Sequence, residues 1–147
     1  MKENFQIVVT GTQIIDGEKE TIRLTTAGDF TFDGEKYYIR YREYDNENPD
    51  IWFDNTVEVQ DNDLMTIIRK GPAASRLTLE RGRRHQCHYS TMFGDLMVGV
   101  FTNIIENNLS ENGGVLQASY TLDFNAGLVS KNEIHIKVTE KEGNTNV

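Results

Sequence analysis

Apolar residues recur at every second position through most of this chain. In Asn4–Gln13 (NFQIVVTGTQ), Phe5, Ile7 and Val9 fall on one side and Gln6, Val8 and Thr10 on the other. Successive side chains of an extended chain point to opposite faces, so this alternation predicts a half-buried strand. Thr21–Phe32 repeats it with Ile22, Leu24, Phe30 and Phe32, and Gly28 marks a bend where a barrel strand must curve. Lys36–Tyr44 sets Tyr37, Ile39 and Tyr41 against Tyr38, Arg40 and Arg42. Further strands are predicted at Asn55–Gln60, Leu64–Lys70, Arg76–Glu80, Gln86–Met92, Leu96–Asn107, Val115–Phe124 and Val129–Lys141. The end of the Leu96–Asn107 run, Ile104–Glu111, is equally compatible with a helical turn, because periodicity is ambiguous over short apolar runs. Turn residues separate the runs: Asp16-Gly17, Asp33-Gly34, Asp61-Asn62-Asp63, Gly71-Pro72, Gly82, Phe93-Gly94-Asp95, Asn112-Gly113-Gly114 and Asn125-Ala126-Gly127.

Connections this short make consecutive strands antiparallel neighbours. No amphipathic helix of ten or more residues is evident to cover an open sheet. A long meander closes because closure removes exposed edges. The expected fold is therefore all-β, a single antiparallel up-and-down β-barrel of about 8–10 strands. A β-sandwich is the other arrangement compatible with the same local patterns. The barrel domain is expected over residues 1–142, with a frayed tail at 143–147.

A chain of 147 residues with 37% hydrophobic and 26% charged residues fits one globular domain with its own core. The net charge of −8 favours solubility and opposes binding to nucleic acid or to an anionic membrane. The N-terminal residues lack the apolar run of a signal peptide, and no window approaches a membrane-spanning helix. The single cysteine, Cys87, allows no internal disulfide. Together these place the chain in the cytoplasm, as an expectation.

Chemistry concentrates in Ile67–Asn103, which holds six of the fifteen basic residues, two of the three histidines and Cys87. Four constellations follow. A barrel interior either fills with side chains or holds one small ligand. Arg40, Arg42, Arg69, His88, Tyr89 and Thr91 are candidates for a hydrogen-bonding lining that captures an anionic group, since the guanidinium fork suits carboxylate and phosphate. The plainer outcome is that Arg40 and Arg42 face solvent and Arg69 pairs with an acid at the rim. The second constellation is Arg81, Arg83 and Arg84 with His85, a basic hairpin that could form an interaction surface or be balanced by the eight acids between Glu43 and Asp63. It lacks the interleaved aromatics that single-stranded nucleic acid calls for. The third is His85-x-Cys87-His88, where at most two side chains share a strand face, too few for zinc. No metal and no cofactor are expected. The fourth pairs Cys87 with His85 or Ser90 with His88 as nucleophile and base, without the strained elbow or G-x-S-x-G pattern that would support catalysis.

The run Arg69-Lys70-Gly71, then Leu77-Thr78-Leu79, then Tyr89-Ser90-Thr91 with Gly94, then Tyr120-Thr121-Leu122 resembles the YwiB-like family, DUF1934, a bacterial family of unknown function. The resemblance implies a calycin-like barrel, similar in architecture to lipocalins and fatty-acid-binding proteins, and implies no activity. The lipocalin G-x-W near the first strand is missing here, since Trp52 lies in mid-chain. The resulting expectation is a binding protein that takes a small apolar or anionic molecule inside the barrel. A protein-interaction module using residues 81–85 or 43–63 is the alternative, an enzyme on the same barrel is the minority alternative, and a homodimer is left open.

Overall fold

The computed structural model describes residues 3–91, 94–124 and 127–141, and of Thr91 the backbone alone. Asp16 and Gly17 both take left-handed backbone angles, φ 50° and 78°. That pair makes a two-residue turn whose twist matches that of the strands it joins. It folds β1 (Phe5–Ile15) onto β2 (Glu18–Phe32), so both strands run further into the hairpin than the apolar alternation alone indicated. The chain continues through β3 (Tyr37–Tyr44), β4 (Trp52–Gln60), β5 (Leu64–Lys70), β6 (Ser75–Glu80), β7 (Arg84–Thr91), β8 (Gly94–Ser110), β9 (Gly113–Asp123) and β10 (Val129–Glu140). Each strand pairs antiparallel with the next, and β10 returns to pair with β1, which closes a ten-stranded barrel. The closed ladder excludes the sandwich. The expected tail at 143–147 and the turn residues Asn125 and Ala126 lie outside the described residues.

Two irregularities shape the barrel. At Gly28, β2 passes from pairing with β1 to pairing with β3. A Cβ there would meet the Arg40 carbonyl oxygen and Ile7 Cδ1, so the close approach of three strands requires glycine. In β8 a bulge falls between Thr102 and Ile104. Val98, Val100 and Thr102 are buried before it, and Ile105 after it. The extra residue, Asn103, shifts the inward phase by one. The lost alternation over Ile104–Glu111 is therefore a bulged strand and not a helical turn.

Among the described residues, ten apolar interior side chains are no more than 1% exposed: Ile7, Ile39, Val57, Val59, Met65, Leu79, Val98, Val100, Leu116 and Ile136. No water-sized void borders them, so the middle of the barrel is filled. The two ends differ. An aromatic cluster marks one end, where Phe5 meets Phe30 edge-on and Phe30 stacks on Tyr37, with ring centroids 5.4 and 5.7 Å apart. At the other end the inward positions turn polar, with Tyr41, Asn55, Arg69, Tyr89, Tyr120, Ser130 and Asn132.

The polar end of the barrel as a candidate functional site

Two rows of register neighbours build this end. Tyr41, Asn55, Arg69, Ser75 and Tyr89 run from β3 to β7. Thr102, Tyr120, Asn132 and Gln13 run from β8 through β9 and β10 to β1. Inward direction follows from phase: Asn55 alternates with Val57 and Val59, and Arg69 with Ile67 and Met65.

Arg69 is the centre of the first row. Its guanidinium carbon lies 3.9 Å from the Phe53 ring centroid, a stacked cation–π contact. Its Nη2 lies 3.6 Å from Glu43 Oε1, which is an ion pair but too long for a hydrogen bond. Its Nε is buried without a partner, and so are Asn55 Nδ2 and Thr102 Oγ1. A buried polar group left unbonded costs about 1–3 kcal/mol. All three such atoms among the described residues lie in these two rows, and Asn55 and Arg69 are direct neighbours.

Two phenols beside them, Tyr41 and Tyr120, are held in the protonated form. Desolvation raises the Tyr41 hydroxyl well above its ordinary value, Glu43 adds to the rise, and Arg69 opposes it. Tyr120 is pushed up to about 12, by desolvation first and then by Tyr89. Tyr89 meets Phe124 edge-on, with centroids 6.5 Å apart. The result is a donor-rich, aromatic-walled surface that holds, among the described residues, the one inward-facing cation Arg69. Beside it a cleft of about 210 Å³ lies between the inner face of the β1–β2 hairpin and Tyr120, Asn132 and Ile134. That is smaller than the roughly 300–1,000 Å³ of common ligand sites, and a second cleft of about 330 Å³ shares Thr12, Tyr120, Asn132 and Glu133 with it. A larger groove, about 460 Å³, runs over the outside of the barrel past Thr10, Glu106, Glu133 and His135. No unbonded buried polar atom lies among its lining residues.

The candidates named from the sequence divide accordingly. Arg69 and Tyr89 both face inward at the polar end, with Ser75 between them in the row. Arg40 does not line the interior: it sits on the outer face over the Tyr38 ring, 3.5 Å from Asp29. Arg42 is also outside, bonded to Asp54 at 2.9 Å and stacked on Trp52. His88 is exposed, opposite Arg76, because its neighbours Cys87 and Tyr89 take the inward direction. The Thr91 side chain lies outside the described residues. Tyr41, Phe53, Asn55, Thr102 and Tyr120 were not singled out as site residues, although Asn55 carries a signal: an amide in phase with two valines. The basic hairpin is internally neutralised. Arg81 bonds Asp63 at 2.9 Å, Arg83 pairs with Glu80 at 3.5 Å, and Arg84 makes a two-pronged pair with Asp123. His85 shares Glu80 at 2.8 Å, and buried Cys87 accepts a bond from the Thr78 amide at 3.3 Å.

Residues 7–136 match the model of a family described as a domain of unknown function, DUF1934. The crystal structure of the ywiB protein from Bacillus subtilis is similar at a TM-score of 0.71 and 21% identity, covering 90% of this chain and 89% of that one. At that identity the likeness concerns the fold. No curated protein matches.

Proposed function

The chain belongs to the DUF1934 family, whose description assigns no activity, and from that premise we propose that it binds a small molecule at the polar end of its barrel. One observation carries the reading: Arg69 and Asn55 are register neighbours, and Arg69 Nε and Asn55 Nδ2 are both buried and unbonded. A ligand that brings an acceptor to them recovers hydrogen bonds the fold leaves unmade. Tyr41, Tyr89 and Tyr120 supply further donors, and Phe53 and Phe124 supply apolar wall. The filled middle of the barrel argues for an occupant at the mouth, unlike the deep cavity of a fatty-acid carrier. Native mass spectrometry of the protein purified from its own cells tests this. The expected spectrum shows a small non-covalent adduct that Arg69→Met removes. A chain at its bare mass, combined with no thermal shift against a panel of small acids, amides and alcohols, would end the proposal.

A further inference from the structure

We infer that the occupant of the polar end is a monocarboxylate with an apolar body, and that Glu43 holds its place on Arg69 in the free protein. This rests on the binding role proposed above. A guanidinium presents Nε and Nη2 along one edge, and the two oxygens of a carboxylate match that edge with parallel hydrogen bonds. Here Nη2 faces Glu43 Oε1 at 3.6 Å, while Nε makes no bond. Glu43 thus offsets the charge of that edge without filling it. Its position explains the loose fit. Glu43 pairs with Phe53 in the ladder, two register positions nearer the mouth than the Tyr41–Asn55–Arg69 row, and the guanidinium carbon lies over that same Phe53. The Glu43 and Arg69 side chains are 40% and 34% exposed, so solvent weakens their attraction and an incoming acid displaces little.

Charge selects among acids. Among the described residues, Arg69 is the cation that the inward rows of this end present, and Glu43 stands beside it, with Glu20 in the adjoining cleft. With Glu133 also lining that cleft, a dianion such as a phosphate monoester would meet one cation and three carboxylates, whereas a monocarboxylate exchanges one negative charge for another. Asn55 Nδ2 can bond the carboxylate oxygen that Nε does not saturate. Phe53, Tyr89, Phe124 and Tyr120 receive an apolar body, and Tyr120 also lines the cleft of about 210 Å³ beside them.

Calorimetric titration of the full chain with benzoate, benzamide and inorganic phosphate tests this. Benzoate is expected to bind, and Glu43→Gln to tighten it about threefold, the scale of a solvent-screened contact between charges. Arg69→Met is expected to abolish binding and to cancel the gain from Glu43→Gln in the double variant. Should Arg69→Met fold poorly, Arg69→Lys keeps the charge, removes the fork and is expected to lose most of the affinity. Benzamide and phosphate are expected to bind no better than benzoate does to Arg69→Met. Unchanged benzoate affinity in Glu43→Gln overturns the role of Glu43. Phosphate or benzamide binding more tightly than benzoate overturns the ligand class while leaving the binding role standing. Absence of benzoate binding in every variant overturns the inference as a whole, and the adduct seen by native mass spectrometry then decides the binding role separately.

Discussion

At the scale of single residues, Tyr120 offers a direct probe of the polar end. Its hydroxyl ionises near 12 in the folded chain against 10.0 ordinarily, because burial disfavours the phenolate. Below pH 10 neither state ionises this group and it has no linkage to folding. Between pH 10 and 12 the unfolded chain loses its proton and the native one keeps it, so stability falls as pH rises, by about 2 kcal/mol for a shift of this size. Tyr120→Phe lacks that linkage. Its urea midpoint should therefore decline less than that of the parent chain between pH 10 and 12, and in parallel with it from pH 7 to 9. The directions of Arg69 and Tyr89 could be read as inward from the alternation of their strands. Including His88 in the same lining could not be right, since adjacent strand residues point to opposite faces and Tyr89 already takes the inner one. The role of Asn55 was harder to see, because phase says that a residue is inside and not whether its amide finds a partner there.

At the scale of elements, β2 and β8 carry the departures from a plain meander. Gly28 is where β2 changes partners, and its missing side chain is filled by Ile7 and by the backbone of Arg40. The backbone cannot retreat without breaking the β2–β3 ladder. Gly28→Ala should therefore lower stability by about 2–3 kcal/mol, the cost of overpacking a filled interior, measured as a lower urea midpoint with an unchanged slope. The bulge at Asn103 moves Ile105 inward, which lets the long strand β8 keep an apolar inner face at both ends. The sequence signalled both places, as a glycine within a strand and as a loss of period. It could not say what each irregularity was for, because that depends on which strands lie alongside.

At the scale of the whole molecule, the ring of strands is unevenly sewn. β6 and β7 share two register pairs, Ser75 with Tyr89 and Arg76 with His88, whereas β1 and β10 share ten. Beyond those two pairs the Thr78 amide turns to the Cys87 sulfur, a weak acceptor. This seam is the place where the barrel opens most readily. Hydrogen exchange should show the Thr78 amide protected less than amides of the β1–β10 ladder, and Cys87 should resist alkylation until the seam opens. Uniform protection around the ring would contradict this. The seam lies beside Tyr89, so ligand binding at the polar end should slow exchange there as well.

The alternation of apolar residues and the turn pairs between runs determined the number of strands, their order and their antiparallel sense, because short connections leave a strand no other neighbour. Closure followed from the absence of any helix to cover a sheet edge. Tertiary structure alone decided the rest: that the middle of the barrel is filled, that one end is aromatic and the other polar, and that Arg69 and Asn55 are register neighbours with donors unbonded. Those facts depend on stagger between strands. A shift of two residues in the β4–β5 register would preserve every inward direction and still separate Asn55 from Arg69.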